Sequence, residues 1–415
     1  MLDVLAIASR NLLRYRRRTL LTLLLIVIGM VAVLLFIAVA GSFKAMMVGQ
    51  ITDSVLGHVQ VHRKGYVASI DSLPLNLNMR PNMLAKLEDE LDGNPAIAAW
   101  SPRIKFGGMY SNFAETTSIR INGIDPAREA ATVPLLPSRL AEGDKNAALV
   151  ERGQIVIPQL LARGMKSKLG DTVVVVATNK DGSVNGKTFV VRGILEPISG
   201  PGGRDGYIHI EDARELLRLS EEQVSEIVVR LKDFAKIDKT GAQIKAAVEG
   251  LTNKEGKPML EVHDWTQLSP FANIAKMIDL MTLFIKIVLV SIVLVSVMNV
   301  MIMAVFERIR EIGTIAAIGT PPSRILSLFL AEGLMLGIVG TVAGTLLSLA
   351  GIFAINVWQP TFDFGMQKGL VMAPTIAPGD VLTIAVLVLV VAVIASLQPA
   401  WKASRMDPIG ALRHV

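Results

Sequence analysis

Two histidines in one short segment are the first residues whose type and spacing could do chemistry. His58 and His62 lie four positions apart in the alternating segment HVQVHR, which is typical of a β-strand. Strand residues four apart share a face, so the two imidazoles could bind a metal ion together. A third ligand would have to be His209 or a carboxylate, and nothing in the sequence marks one. We therefore expect core or solvated histidines and no metal site.

A glycine-rich segment further along the chain ends like a phosphate-binding loop. Gly182 and Gly186 precede Lys187 and Thr188, but three residues separate the glycines where that motif has four. The segment also leads into a predicted strand, whereas such a loop binds phosphate at a helix N-terminus. The chain has no cysteine, which excludes thiolate chemistry and cysteine metal sites. Spacing reveals no nucleophile with its base, so we expect no enzymatic activity and no cofactor in this chain.

Four long apolar segments must position whatever chemistry the chain performs. The chain has 415 residues, of which 51% are hydrophobic, and these residues are concentrated in four runs. A helix needs about 20 apolar residues to cross roughly 30 Å of hydrocarbon, so each run predicts a membrane-spanning helix. The first run also fits a signal peptide ending at Ala38-Val39-Ala40, but it is longer than a usual signal sequence, and we expect it to be retained. The predicted spans cover residues 19–41, 279–306, 325–357 and 380–401.

The positions of lysine and arginine predict how these spans are oriented. Basic residues cluster before the first span, between the second and third, and after the fourth, which places those parts in the cytoplasm. We therefore expect a multi-pass protein of the bacterial inner membrane, with residues 42–278 in the periplasm. The net charge of +6 is largely explained by these clusters and does not indicate nucleic-acid binding. The remaining predicted parts are an amphipathic cytoplasmic helix (1–18), a cytoplasmic loop (307–324), a short periplasmic loop (358–379) and a cytoplasmic tail (402–415).

The predicted periplasmic domain belongs to the α+β class. The order strand, helix, strand occurs twice in its hydrophobic pattern. The first unit covers 58–63, 82–91 and 96–106, and the second covers 226–231, 236–250 and 259–263. Two such units separated by an insertion predict a ferredoxin-like split β-α-β core. The inserted subdomain, at about residues 107–224, is rich in predicted strands, and Asp181-Gly182 predicts a hairpin turn within it.

Two ionisable residues lie within the interior of predicted spans, away from their first and last residues, and a charge at mid-bilayer costs at least about 2.5–3.5 kcal/mol. Lys286 lies near the outer end of the second span, so we expect it to extend to the interface; lining a substrate cavity is the alternative. Glu332 lies near the inner end of the third span, where we expect a partner such as an arginine of the cytoplasmic loop. Glycines at spacings of three and four along the third span favour close helix packing. They are Gly333, Gly337, Gly340 and Gly344.

The segment after the second span is the most informative short stretch. It reads FERIREIGTIAAIG over residues 306–319, with charges and isoleucines at helical spacing, and Gly319 with Pro321-Pro322 then ends the helix. An ordinary interfacial helix would look like this. The segment also resembles the coupling helix of FtsX-like ABC transporter permeases, the group that contains MacB and the lipoprotein-releasing LolC/LolE permeases. The stretch from Pro399 to Arg413 resembles the end of the same family, and the resemblance covers the whole chain.

The resemblance implies a mechanism of mechanotransmission, without transport through a pore. In the family, the coupling helix docks into a groove on an ATPase subunit, and ATP-driven closure is passed along the first two spans to the outside domains. This chain has no Walker motif, so we expect two copies of a separate ATPase, which bind ATP and Mg. The permeases pair, and the second permease is either the same chain or a paralogue. The implied coupling residues are Glu307, Arg308, Arg310, Glu311, Ile312, Gly313, Ala317 and Gly319.

The resemblance also implies a cargo, because GHVQVH with Gly65-Tyr66 looks closer to the lipoprotein-releasing branch than to MacB. In that branch, acyl chains enter between the first two spans at their outer ends. The function implied is extraction of lipoproteins for a periplasmic chaperone. Alternatives are a transducer that drives an efflux or regulatory partner, and a membrane-bound periplasmic sensor without an ATPase. The residues matching the acyl site, which could instead only pack the spans, are Met46, Met47, Phe271, Met277, Met281 and Phe284.

Overall fold

The computed structural model describes residues 7–8, 10, 14, 16–197, 204–252, 256–364 and 367–407. The predicted helix over 1–18 and the predicted tail over 402–415 lie partly outside these residues. The chain divides into two compact units, and each is described by itself. The helical unit comprises Met1–Ala45, Lys276–Phe362 and Leu370–Val415, and the sheet unit comprises Met46–Ala275 and Asp363–Gly369.

The secondary structure of the described residues alternates long helices with a sheet-rich middle part. The helices are α1 (Arg16–Ile51), α2 (Pro81–Asp92), α3 (Pro126–Thr132), α4 (Gln159–Met165), α5 (Ile210–Leu216), α6 (Ile237–Glu249), α7 (Trp265–Leu268), α8 (Phe271–Glu307), α9 (Ile309–Ala317), α10 (Pro322–Trp358) and α11 (Pro378–Ser404). The strands are β1 (Val59–Arg63), β2 (Ile97–Ser111), β3 (Thr116–Ile124), β4 (Leu140–Glu142), β5 (Gln154–Pro158), β6 (Thr172–Thr178), β7 (Val184–Leu195), β8 (Asp205–His209), β9 (Glu226–Leu231), β10 (Leu260–Asp264), β11 (Thr361–Phe364) and β12 (Gln367–Val371).

Within the described part of the chain, four helices are long and apolar enough to cross a membrane. They are α1, α8, α10 and α11, and the most apolar segment of each helix has a mean hydropathy between 2.1 and 3.3. Pro322 and Pro378 begin two of these helices, and proline suits the first turn because its missing N–H would have no partner in the helix there. The prediction of four such helices is confirmed.

The glycine row of α10 lets neighbouring helices approach closely within the helical unit. A Cβ added to Gly340 would lie 2.6 Å from Ile26 Cγ2, and one added to Gly344 would lie 2.6 Å from Met30 Cβ. Both distances are too short for carbon atoms, so only glycine permits this approach of α1 to α10. The other two glycines of the row contact α11 in a similar way. The predicted role of these glycines in helix packing is confirmed.

The described strands of the sheet unit form one ten-stranded sheet and part of a short hairpin. The strand order of the ten-stranded sheet is β10-β1-β9-β2-β3-β8-β5-β7-β4, with β6 paired to β2 and β7. The first four strands in this order are antiparallel to their neighbours. The connections from β1 to β2 and from β9 to β10 contain α2 and α6. Leu87 of α2 and Ile244 of α6 are buried in the same core as Val61 and Val229 of the strands.

Strand β2 belongs to both halves of this sheet. Its residues Ile97–Arg103 pair with β9, whereas its residues Arg103–Ser111 pair with β3. The boundary expected at about residue 107 therefore falls inside a continuous strand. The predicted hairpin turn is confirmed, since β6 and β7 are antiparallel neighbours and Gly182 has a φ of +85°.

Candidate functional site

The short helix α9 follows the second long helix and has defined ends. Arg308, with φ −110° and ψ 17°, separates α8 from α9. At the other end, Gly319 adopts a φ of +95° and donates its N–H to the carbonyl of Ala316 at 3.0 Å. A left-handed residue ends a helix most easily when it is glycine. The sequence therefore fixes α9 as a separate helix of about two and a half turns, by the usual 3.6 residues per turn.

The side chain of Arg308 fixes the start of α9 to α10. Its Nη1 donates to Glu332 Oε1 at 2.8 Å, and its Nε donates to Glu311 Oε2 at 3.1 Å. The guanidinium also lies 5.5 Å from the ring centre of Phe329, within the range of a cation–π contact. The side chains of Arg308 and Glu332 are only 5% and 1% exposed. The expected partner of Glu332, an arginine of the loop after the second span, is confirmed.

The eight predicted coupling residues do not share one face. Glu307, Arg310, Ala317 and Gly319 are exposed, Glu311 is half-buried, and Arg308, Ile312 and Gly313 are buried. A buried side chain contacts no other subunit unless it moves. The three buried residues therefore pack α9 against the rest of the helical unit, and only the other five residues are accessible to a partner.

Two exposed isoleucines of this segment were missed by the sequence reasoning. Ile315 is 38% exposed and Ile318 is 80% exposed, whereas Ile312 is 4% exposed and packs with Phe329 in the apolar core. Isoleucines three positions apart point in successively different directions, because an α-helix has about 3.6 residues per turn. Their spacing alone did not indicate which of them would face outward. The accessible surface of α9 is therefore more apolar than the sequence interpretation implied.

An ion pair joins the first two long helices within the helical unit. Lys44 Nζ donates to both carboxylate oxygens of Asp279, at 2.7 and 2.6 Å. The side chains of Lys44 and Asp279 are 33% and 59% exposed, so this ion pair is solvent-accessible and contributes little to stability. No sequence signal could have predicted it, because 235 residues separate the two positions.

Three of the six predicted acyl-contact residues form one exposed apolar row on α8. Met277, Met281 and Phe284 are 53%, 54% and 67% exposed, and spacings of four and three place them on one helix face. The other three lie in the sheet unit. Met47 is only 3% exposed and Met46 is half-buried. Phe271 packs against a small apolar cluster formed by Ile51, Val55, Leu56 and Leu268. Met47 therefore offers no free apolar surface, contrary to the sequence interpretation. Lys286 is half-buried, and its role stays a prediction.

The sheet unit buries a network of charged side chains that the alternation of polar and apolar residues in the sequence did not predict. Arg103 donates to Glu129 Oε1 through Nε at 2.9 Å and to Glu226 Oε1 through Nη1 at 3.2 Å. Lys105 Nζ and His62 Nε2 lie 3.3 and 3.5 Å from Glu226 Oε2. Burial alone would raise the pKa of Glu226, but Lys105, His62 and Arg103 together hold that pKa well below its ordinary value of 4.5.

The histidines have structural positions in this unit. His62 is fully buried and stacks on Tyr66, with ring centres 5.3 Å apart. His58 Nδ1 accepts a hydrogen bond from the Leu231 N–H at 3.0 Å, and His209 caps the start of α5. Among the described residues, no group of three or more His, Asp or Glu side chains is placed to hold a metal ion.

The lysine of the glycine-rich segment is also accounted for by its neighbours. Lys187 lies in strand β7, where its Nζ is 2.9 Å from Asp212 Oδ1 and also pairs with Glu215. The preceding residues form the hairpin turn and not the N-terminus of a helix. This geometry supplies no cradle of backbone N–H groups for a phosphate.

Two family profiles match the sequence and together cover most of it. The MacB-like periplasmic core domain matches residues 19–247, and the FtsX-like permease C-terminal domain matches residues 283–408. The chain belongs to the FtsX-like and MacB-like family of ABC transporter permeases. The resemblance seen in the coupling segment and in the layout of the chain is thereby confirmed at the level of the family.

Relatives of this permease fall in more than one branch. The lipoprotein-releasing system transmembrane protein LolC of Neisseria meningitidis serogroup B is 23% identical, and the alignment covers 94% of this chain and 92% of LolC. The macrolide export ATP-binding/permease protein MacB 2 of Aeromonas hydrophila is 26% identical over 98% of this chain, which spans 59% of that protein. The crystal structure of the periplasmic region of MacB from Actinobacillus actinomycetemcomitans aligns with a TM-score of 0.37 and 14% identity, over 51% of this chain and 92% of that one.

Proposed function

We propose that this permease works with a separate ATPase to extract lipoproteins from the bacterial inner membrane for a periplasmic chaperone. The observation that carries the proposal is the exposed row Met277, Met281 and Phe284 at the start of the second long helix. Flexible thioethers and an aromatic ring suit contact with acyl chains of varied shape. The similarity to LolC supports the same cargo, because it extends over 92% of that relative.

The coupling surface of this proposal is the outward face of α9 together with Ile318, which directly follows it. Ile318, at 80% exposure, is an apolar side chain that a groove on an ATPase could cover. Glu307 and Arg310, which are exposed charged residues of the same segment, belong to the proposed surface as well. The ion pair of Arg308 with Glu332 holds α9 against α10, so a force applied to Ile318 acts on a fixed helix and is not lost in local motion.

The proposed cargo path starts where α1 and α8 are joined by Lys44 and Asp279. An exposed ion pair is worth about 0.2–1 kcal/mol, so separating these two side chains costs little. Separation would let α1 and α8 move apart at this point, so that a lipidated cargo already in contact with the exposed Met277 and Met281 could enter between the two helices. The weak pair supports a path that opens and closes easily.

The orientation and assembly are also part of the proposal. Both termini lie in the cytoplasm, the sheet unit lies in the periplasm, and two permeases, either identical or paralogous, pair with two ATPase copies. The strand order β10-β1-β9-β2, with helices between β1 and β2 and between β9 and β10, supports a ferredoxin-like split β-α-β core in the periplasmic domain.

A second candidate function is a transducer that drives an efflux or regulatory partner without extracting lipids. The similarity to MacB 2 favours it, because that relative matches 98% of this chain at 26% identity. In this case Met277, Met281 and Phe284 contact membrane lipid only.

Photo-crosslinking separates the two functions. A photoreactive amino acid replaces Met281 in cells that also express the cognate ATPase, and trapped molecules are identified by mass spectrometry. The control position is Leu346 of α10, which is apolar and 64% exposed. Extraction predicts triacylated lipoprotein at position 281, lost on adding ATP, and none at position 346. If position 281 traps only lipid or the second permease while the ATPase co-purifies, the transducer function is supported instead.

A further inference from the structure

The first long helix continues directly into a π-helical turn at Thr52–Leu56. Such turns are rare, are frequent at functional sites and place side chains where a regular α-helix would not. In this turn Thr52, Ser54, Val55 and Leu56 are buried, while Asp53 is partly exposed. Asp53 is therefore the one residue of this turn whose side chain is not buried.

Asp53 connects this turn to the β-sheet through three groups. Its Oδ1 accepts a hydrogen bond from Arg230 Nη1 of β9 at 2.9 Å and lies 3.5 Å from His58 Nε2. Its backbone carbonyl accepts the N–H of Leu135 at 2.9 Å. One residue of the turn thus contacts a central strand, the segment that leads into β1 and the loop after α3.

The orientation of His58 is fixed by its other ring nitrogen. His58 Nδ1 accepts the N–H of Leu231 at 3.0 Å, so the neutral ring carries its proton on Nε2, the atom nearest Asp53. Phe234 packs edge-on against the imidazole, with ring centres 4.9 Å apart. The imidazole therefore cannot turn away from Asp53 without breaking a backbone contact of β9.

The chain also passes against β9 with no space for a side chain. Gly57 follows the turn with a φ of +68°, and a Cβ added there would lie 2.2 Å from Val228 Cγ1. A positive φ and this close approach both require glycine. The backbone between Asp53 and His58 is therefore held tightly to the strand that carries Arg230.

We infer that Asp53, His58 and Arg230 form a junction that passes displacement of the first spanning helix to strand β9 of the sheet. These residues act as positioning residues, and the inference rests on the proposed function, in which ATP-driven movement reaches the periplasmic domain through this helix. The helix and the turn form one continuous helical segment, so axial movement at its end is applied to Asp53. Chains of hydrogen-bonded and packed side chains of this kind can carry coupling between distant sites.

Distance measurements on the complete chain with its ATPase test the junction. The chain has no native cysteine, so Glu115→Cys in the sheet unit and Val357→Cys at the end of α10 provide unique sites for spin labels. Pulsed dipolar spectroscopy then gives the distance between the labels with and without ATP, and ATP hydrolysis is measured on the same samples.

The expected result is a change of distance with ATP in the parent protein and its loss in Asp53→Asn and Arg230→Gln, with hydrolysis retained. Arg230→Lys keeps the change, because a single N–H donor reaches Asp53 in the structure and an ammonium can replace it. Glu215→Gln, which removes an exposed carboxylate elsewhere in the sheet unit, also keeps it.

Two outcomes would overturn the inference, and they are distinguishable. If Asp53→Asn and Arg230→Gln show the full change of distance, the junction does not transmit movement, although the proposed function stands. If the parent protein hydrolyses ATP with no change of distance, the proposed function fails and the junction with it. Thermal unfolding of each variant shows whether it is folded. If Asp53→Asn is misfolded, the change of distance in Arg230→Gln is compared with that in Arg230→Lys to test the junction.

Discussion

Arg308 and Glu332 form an ion pair of 2.8 Å in which both side chains are almost fully buried. The first residue precedes α9 and the second lies in α10, so the pair joins the candidate coupling helix to a membrane-spanning helix. Burying two charges is costly, and burying one without the other is worse. The pair therefore makes the position of α9 sensitive to either residue.

Glu332→Gln should destabilise the protein by about 3–5 kcal/mol, because it removes the buried counter-charge of Arg308 and leaves only the half-exposed Glu311 beside it. Thermal unfolding in detergent measures the loss. The matched control is Arg14→Gln, which removes the 3.6 Å contact of an exposed arginine with Glu311 and should cost less than about 1 kcal/mol. Replacing both buried partners by apolar residues, as Arg308→Met with Glu332→Leu, should recover most of the stability. Equal losses for Glu332→Gln and Arg14→Gln would show that the buried pair has no special role.

Ile312 of α9 and Ile318, which directly follows α9, should respond differently to alanine substitution. Ile318→Ala should weaken co-purification of the ATPase and leave unfolding unchanged, because the side chain is 80% exposed. Ile312→Ala should lower the free energy of unfolding by about 2–5 kcal/mol, because it leaves a cavity in the apolar core. Pull-down of the ATPase and thermal unfolding are measured on both variants. Full ATPase binding by Ile318→Ala would remove that side chain from the proposed coupling surface.

A methyl group on Gly340 should disrupt the packing of α1 on α10. The added Cβ would meet Ile26 Cγ2 at 2.6 Å, and overpacking of this kind costs about 1–3 kcal/mol. Gly351→Ala is the control, because its Cβ would lie 3.4 Å from Leu35 Cδ2, an ordinary contact. Unfolding in detergent should distinguish the two variants, and an unchanged midpoint for Gly340→Ala would contradict the close approach of these helices.

Acid should destabilise the sheet unit through Glu226. The pKa of this carboxyl is below its ordinary value of 4.5 in the folded protein, so the unfolded state binds its proton at higher pH. Its contribution to stability is therefore complete above about pH 4.5 and is lost as the pH falls toward the folded pKa. Urea unfolding followed by tryptophan fluorescence between pH 7 and pH 3, on the order of four units, measures the onset of this loss below about pH 4.5. Glu226→Gln should flatten the profile, whereas Glu222→Gln, at a 73% exposed side chain, should leave it unchanged. A profile equally steep in Glu226→Gln would assign the acid sensitivity to other groups.

Periodicity and composition predicted the elements of this fold well. Strand β9 was predicted at 226–231 and occurs at Glu226–Leu231, and helix α2 was predicted within one residue at each end. These elements have strong local patterns, alternation in one case and an amphipathic stripe after a proline in the other. The limits of the inserted subdomain were less accessible, because β2 is shared by two parts of the sheet and its local pattern does not reveal which neighbour each half pairs with.

The candidate site was predictable only where a physical constraint was local. The buried Glu332 required a basic partner, and the nearest loop supplied Arg308. The exposure of Ile318 and the burial of Met47 depend on helix rotation and tertiary packing, which residue spacing does not determine. The pairing of Lys44 with Asp279 depends on contact between helices that are far apart in sequence.

The central claim is ATP-driven extraction of lipoproteins, and release from proteoliposomes tests it most directly. The permease and its ATPase are reconstituted with a triacylated lipoprotein, and soluble lipoprotein–chaperone complex is measured after adding ATP. We expect release that requires both ATP and chaperone and that falls in Met281→Asp, whereas Leu346→Asp, at an exposed apolar position of α10, should retain it. ATP hydrolysis at a normal rate without any release, in the presence of chaperone, would contradict the claim.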